Sequence, residues 1–467
     1  MTGGALLALV VVGVACNAQS PGEGMPAPSA SLTPLSPELE VGSWVAVRTT
    51  ELCLEAFFEQ PSKRAALLLT RKTGENCLPN GFIGLLVGGP DELEGKRWWE
   101  MAGQGWVPED SLAFHHHGEA PYPARPELVD EGQIAYVGPD LDVWVMRADG
   151  SGKAKLHDVE TEPEKGQVAR LYWSPTGEAL AVEQLWNQKI DIISAQGEPL
   201  LRLEAQSFSG WSPTGEAFAV FDTQANLSVY GLDGNLLFRT GAASEASFSP
   251  DGHLLAYLEA GQGGVGTRSR GMLADLATGQ AWPVDPGEAP GQIIPGEGPP
   301  MWSPASNLLV YGSRLFDYDS GAIVELPGTG SKWSPDGRFL ILGLDHIYDV
   351  SRRQVSGEFE VVVPPTDAPP SFIAKGMFAW SGDSHYLVYA EEGMFAEPPK
   401  PNSLQVYDTQ HNSVLNLQGA PAFDFEVSPN GRHVLFESLS WISLVDIDGT
   451  GQTLLAEGSS PTWKPQD

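Results

Sequence analysis

Trp333-Ser334-Pro335-Asp336-Gly337, followed by Phe339-Leu340-Ile341-Leu342 and then Ile347-Tyr348-Asp349-Val350, is the stretch that decides the fold. The aromatic residue ends one strand, Pro presets the turn entry, Asp-Gly supplies the backbone freedom a hairpin needs, and two apolar strands follow. Copies of this pattern, some worn, begin at Trp173, Trp211, Phe248, Trp302, Trp333, Trp380, Val427 and Trp463. Phe248-Ser249-Pro250-Asp251-Gly252 is the other complete one. Their spacings are 38, 37, 54, 31, 47, 47 and 36 residues. Loops absorb that variation while the strands keep their length.

Around Trp211 the same order gives strands at Ala217 to Phe221, Leu227 to Leu232 and Leu236 to Arg239. Around Val427 it gives His433 to Glu437, Ile442 to Ile447 and Thr453 to Ala456. Each unit is therefore a four-stranded antiparallel meander that buries its faces only against its neighbours. Radial stacking of such units makes an all-β propeller. The last motif, Trp463-Lys464-Pro465-Gln466-Asp467, has no strands after it, and Ile134 to Val137 with Val143 to Met146 has no motif before it. The strand ending at Trp463 is expected to complete the blade begun near Ile134. That count gives eight blades of about 42 residues over residues 132–467. Seven is the alternative, should Trp302-Ser303-Pro304-Ala305-Ser306 merge with its neighbour. Val145-Met146-Arg147-Ala148-Asp149-Gly150-Ser151-Gly152 and Val445-Asp446-Ile447-Asp448-Gly449-Thr450-Gly451 give the set a resemblance to TolB-type, WD-like propeller repeats. That resemblance implies a role in binding proteins or in shaping access to a catalytic domain.

Upstream, Ala5 to Val14 is an apolar run too short to span a bilayer but suited to a signal peptide. It ends in Gly13-Val14-Ala15-Cys16, which resembles a bacterial lipobox and implies lipidation of Cys16 at the close of a 1–16 signal. A plain secretory signal is the alternative. Residues 17–38, rich in Pro, Ser, Ala and Gly, read as a disordered tether. Residues 39–114 carry short strand-like runs at Trp44 to Val47, Ala65 to Leu69, Phe82 to Val87 and Trp98 to Met101, as in a small β-barrel. Trp98-Trp99-Glu100-Met101, then Gly105-Trp106-Val107-Pro108-Glu109-Asp110-Ser111-Leu112, resembles the close of a bacterial Src-homology-3-like domain. Cys53 and Cys77 lie within this barrel; in an oxidising compartment they can close as a disulfide, or they stay reduced and buried. His115-His116-His117 opens a linker, 115–131, and offers no spaced metal set.

The chain carries 60 acidic against 27 basic residues, a net charge of −33. Phosphate backbones would be repelled, so nucleic acid is excluded as a partner. No Gly-x-Ser-x-Gly elbow occurs. Asp383-Ser384-His385 holds triad residue types, but only in a degraded turn, where adjacency builds no triad. Gly150-Ser151-Gly152-Lys153 lacks the rest of a phosphate loop and precedes a strand, and Gly261 to Gly266 reads as a hairpin loop. Asp140/Asp142 and Asp446/Asp448 complete no calcium loop. Trp186, Trp282 and Trp441 lie outside the motif and are candidates for lining a sugar or peptide face, with packing as the simpler role.

No catalytic residue, cofactor or metal site emerges. The reading is a non-catalytic binding or scaffold lipoprotein, exported to the cell envelope, with a protein or glycan partner on one propeller face. The alternative is a propeller glycosidase or lyase whose carboxylates converge in the central channel from different blades, which would leave no local motif.

Overall fold

The computed structural model describes residues 39–466, leaving out 42, 48–52, 56–76, 80–82, 94, 102–104, 118–124, 161–168, 186, 261–268, 286–298, 344–345, 359–377, 392–402, 418–423 and 439–440. The expected signal and tether, Cys16, Trp186, the Gly261 to Gly266 run and the strand expected at Ala65 to Leu69 fall outside the described residues. Among those described, no helix is long and apolar enough to cross a membrane.

Five strands of the N-terminal segment form one antiparallel sheet in the order Gly105–Pro108, Lys96–Met101, Ile83–Leu93, Ser43–Val47, Leu112–His117. Trp99, Met101, Val107, Leu86 and Val45 are buried. The last strand runs through His117 rather than stopping at Phe114, because His116 and His117 pair with Trp44 and Ser43. The histidines therefore belong to a sheet and not to the linker. A separate pair of strands sets Cys53 opposite Pro79 and Cys77 opposite Glu55, so the cysteines stand on neighbouring strands, offset in register.

Beyond Pro126 the described strands group as six four-stranded antiparallel sheets and one of seven strands. The seven-stranded sheet is two meanders sharing the strand Leu236–Phe248, whose first half pairs with Asn226–Gly231 and whose second half pairs with Leu254–Glu259. Apart from Ser303, whose hydroxyl accepts from Ala305 and Ser306 instead, the motif serines make the hairpin in the same way. Each is buried, and its hydroxyl accepts the backbone N–H five residues on: Ala179 to Ser174, Ala217 to Ser212, Phe339 to Ser334 and His433 to Ser428, at 2.9–3.1 Å. In Ser334-Pro335-Asp336-Gly337 that hydroxyl donates in turn to Asp336 Oδ1 at 2.7 Å, which also accepts the Arg338 N–H. Gly337 holds φ 69°, and a Cβ there would stand 2.4 Å from Ser303 Oγ. Glycine meets both demands.

Each sheet is apolar on both faces. In the strand Ala217–Phe221, Phe218 and Val220 pack with Ala181, Ile190 and Ile192 of the preceding sheet. Ala217 and Ala219 pack with Phe248, Leu255 and Tyr257 of the following meander. Period-two alternation thus serves two neighbours at once. Similar clusters join each sheet to the next. The series returns on itself: Leu435, Ile442 and Leu444 pack against Ile134, Tyr136, Met146 and Trp463. A closed circular stack is a β-propeller. The strand Ser459–Trp463 pairs antiparallel with Gln133–Val137, Trp463 lying opposite Ile134, which bears out the expected closure. Motif strands of adjacent sheets touch, whereas Leu200, Leu237, Trp282, Ile323, Val355 and Val414, all on fourth strands, are exposed. The motif strands therefore face the axis and the fourth strands form the rim.

Trp463, 4 % exposed, lies at the closing interface. Trp463→Ala should cost about 3–5 kcal/mol in urea unfolding, whereas rim substitution Leu237→Ala should stay within about 0.5 kcal/mol. Equal effects would show that closure contributes no more than the rim.

Candidate functional site at the propeller axis

The residue just before each motif aromatic stands on the innermost strand. Tyr172, Ser247, Lys332, Glu426 and Thr462 occupy this position, with Gly210, Met301 and Ala379 in the remaining copies. Several of these side chains reach to the first strand of the next sheet. Ser247 Oγ accepts the Trp302 N–H at 3.1 Å. Lys332 Nζ donates to the Phe378 carbonyl. Glu426 accepts the Trp463 N–H at 2.9 Å and the Thr462 hydroxyl at 3.0 Å. Two glutamates on second strands repeat the contact: Glu183 accepts the Phe208 N–H at 3.2 Å and Glu437 the Ser460 N–H at 2.8 Å. Motif indoles tie in the opposite sense, Trp211 donating to the Tyr172 carbonyl and Trp333 to that of Met301.

Lys332, Asp424, Glu426 and Glu437 are half-buried and crowded by protein atoms, and their ionisation is perturbed. Burial pushes Glu426 up to about 7; the Trp463 N–H opposes it, Asp424 adds to it, and Thr462 and Lys332 oppose it. Glu437 is likewise pushed up to about 7 by burial, against the Ser460 N–H and with Asp424 adding to the rise. Burial also raises Asp424, which faces the Arg170 charge. Lys332 is driven down to about 8 by burial, with Glu426 pulling the other way. Ala379 fills the same position on the intervening sheet, and its small side chain leaves Lys332 and Glu426 in electrostatic range. Tyr172 donates to Glu183 at 3.1 Å, and burial, then the Glu183 charge, raises its hydroxyl. Three acids of one sheet, Asp424, Glu426 and Glu437, therefore gather along the axis with Lys332 and Arg170 of two others, a juxtaposition characteristic of functional sites as well as of internal ion-pair networks. Chemically, the set can hold or exchange a proton near neutral pH.

Sequence inspection missed these residues. For Tyr172, Lys332 and Glu426 the signal is a polar side chain one position before the first motif residue, which means nothing until the ring brings the copies together; Glu183 and Glu437, on second strands, lie outside that pattern. The residues it singled out are placed elsewhere. Asp383 Oδ1 accepts the Ser381 hydroxyl and the His385 N–H, and Ser384 Oγ accepts the Asp336 N–H, so no triad forms. Lys155 Nζ binds Asp140 and Asp142, and Arg125 and His433 bind Asp446, so protein side chains fill these places. Asp448 caps its own turn through Thr450. Gly150 to Lys153 lies in a turn between strands. Trp282 sits on the rim strand Ala281–Pro283 and Trp441 on Trp441–Asp446, a strand of the sheet that includes Glu426.

No family model and no curated protein matches the chain. Solved structures to which it is similar include a eukaryotic initiation factor (14% identity, 72% of this chain and 98% of that one, TM-score 0.44). Another is an oligogalacturonate lyase in complex with manganese (14%, 66% and 94%, TM-score 0.44). A third is a β-propeller domain from Myceliophteria thermophila (13%, 63% and 99%, TM-score 0.38). Likenesses this distant assign no activity.

Glu426 and Glu437 hold protons in the folded chain up to about pH 7, whereas unfolded glutamates release them near about 4.3. Their stabilising contribution is complete below the unfolded value and is lost as pH rises through the folded one. Asp191, Asp222, Asp349 and Asp408 are lowered and act in the opposite sense at more acid pH. Resistance to urea should therefore peak near about pH 4–5 and fall towards pH 7.5. Glu426→Gln/Glu437→Gln should flatten that fall by on the order of 1–3 kcal/mol per group. An unchanged slope in the double variant would refute the assignment.

Proposed function

We propose that this chain is a non-catalytic binding or scaffold protein of the cell envelope, an eight-bladed TolB-type propeller behind a Src-homology-3-like barrel. The N-terminal segment exports it, a lipid on Cys16 holds it at a membrane, and one propeller face takes a protein or glycan partner. One observation carries this reading. Glu183, Lys332, Glu426 and Glu437 each end on a main-chain group of the next sheet. Axial charges committed in this way bind the ring together and leave recognition to the faces. The eight-blade reading rests on the shared strand Leu236–Phe248, which divides the seven-stranded sheet into two blades.

A second reading, a glycosidase or lyase, is favoured by one specific feature: Glu426 near 7 within range of Lys332 near 8, with Glu437 near 7 on the neighbouring strand. A raised carboxyl acid paired with a second carboxylate is what glycoside cleavage uses. Purified protein screened against envelope glycans, acidic oligosaccharides and peptides separates the two. The scaffold reading expects no turnover and saturable, stoichiometric binding to an envelope component that survives Glu426→Gln. Turnover abolished by Glu426→Gln or Glu437→Gln, with the thermal transition retained, would replace it with the enzyme.

A further inference from the structure

The sheets from Gly330 onward share a station that the axial site does not use. A basic residue at the head of the second strand faces an aspartate at the end of the third. Arg338 pairs with Asp349 at 3.3 Å and His385 with Asp408 at 3.1 Å; in the sheet of residues 424–457 Arg432 stands at that station, and Asp446 is met instead by His433, one residue on and directly opposite it, at 2.7 Å. Asp349 meets a second cation three residues on, Arg352, at 3.7 Å. Asp408 has His411 at that position, its Nδ1 2.8 Å from Oδ2. The sheet of residues 378–417 therefore puts imidazoles where its neighbour puts two guanidiniums. A guanidinium can only pair with the carboxylate, whereas an imidazole nitrogen can ligate.

We propose that His385, Asp408 and His411 form a site for a divalent transition-metal ion of the zinc class. Each offers one ligand atom, and the three atoms lie within 4.8 Å of one another. Tetrahedral ligands at zinc distances stand about 3.3 Å apart, so a small rotation of the exposed His411 closes the set. The other two are already positioned. The Thr409 N–H and hydroxyl both donate to the His385 carbonyl, at 3.0 and 2.8 Å, which fixes the turn against the second strand. Asp408 Oδ1 accepts the Gln410 and His411 N–H groups at 2.8 and 2.9 Å, leaving Oδ2 directed at His411. The His385 ring stacks on Tyr386, centroids 4.0 Å apart. Hydrogen bonds to the ligating carboxylate of this kind orient metal ligands. Two imidazoles and a carboxylate suit zinc and its first-row neighbours over calcium or magnesium, which prefer all-oxygen shells. Three protein ligands leave a position for water or a partner's donor group. Sequence reading set His385 aside as part of a degraded turn, and its companions Asp408 and His411 lie on a different hairpin.

The test is calorimetric titration of the EDTA-treated full chain with Zn2+ alone, run on three proteins. The wild type should bind one ion with micromolar or tighter affinity. His385→Arg/His411→Arg, which copies the neighbouring Arg338/Asp349/Arg352 station, should bind about 10-fold or more weakly, with its melting temperature in EDTA retained. His115→Ala/His116→Ala/His117→Ala should bind like the wild type. Absence of stoichiometric binding, equal binding by the double-arginine variant, or loss of binding in the triple-alanine variant would each overturn the proposal. Should the double-arginine chain fail to fold, exposed His411→Gln, expected to weaken binding to a similar extent, decides between the same outcomes.

Discussion

A β-sheet whose two faces are both apolar cannot stand in water, and every meander beyond Pro126 is such a sheet. Phe218 and Val220 on one face and Ala217 and Ala219 on the other need separate neighbours. A linear stack would leave two faces wet at its ends, so only a circular arrangement satisfies all the sheets. The turn serines, the interlocking indoles and the mixed-origin sheet that holds Trp463 beside Ile134 follow from that requirement. So does the axis: a ring of sheets has a centre, and the first strand of each must face it.

The centre has its own physical problem. Inner strands crowd together where the sheets converge, and main-chain groups at their margins lose access to water. Glu183, Glu437 and Glu426 supply acceptors to such N–H groups, and Lys332 supplies a donor to a carbonyl. Using charged side chains for this is costly unless they shift towards neutrality, as Glu426, Glu437 and Lys332 do. Structural ties and the groups of shifted ionisation are in this way the same atoms, which is why the axis is compatible with both functional readings.

The strands were legible in the sequence because their cause is local, and the closure because one strand was left over at residue 463 and one was missing at residue 134. Ser-Pro-Asp-Gly makes its own turn, so Ala217–Phe221 could be placed before any tertiary information. Leu236–Phe248 was harder: its continuation past Arg239 depends on Leu254–Glu259 pairing with the far half. The histidines at 115–117 were taken for linker because composition carries no record of Ser43 and Trp44, their strand partners. The axial residues were illegible for a deeper reason. Lys332 and Glu426 are unremarkable in their own repeats and acquire meaning only through Ala379, whose small size between them is a property of the circle.

The pairing of residue 463 with residue 134 also has a consequence in time. Nearly the whole ring must be assembled before those two strands can meet, and contacts of such sequence separation form slowly. During assembly the strand Gln133–Val137 offers an unpaired edge to whatever strand is nearby, including one from another copy. Residence as an open arc, rather than final stability, is therefore the stage at which this architecture is vulnerable. The clasp that finishes the molecule also sets how long that exposure lasts.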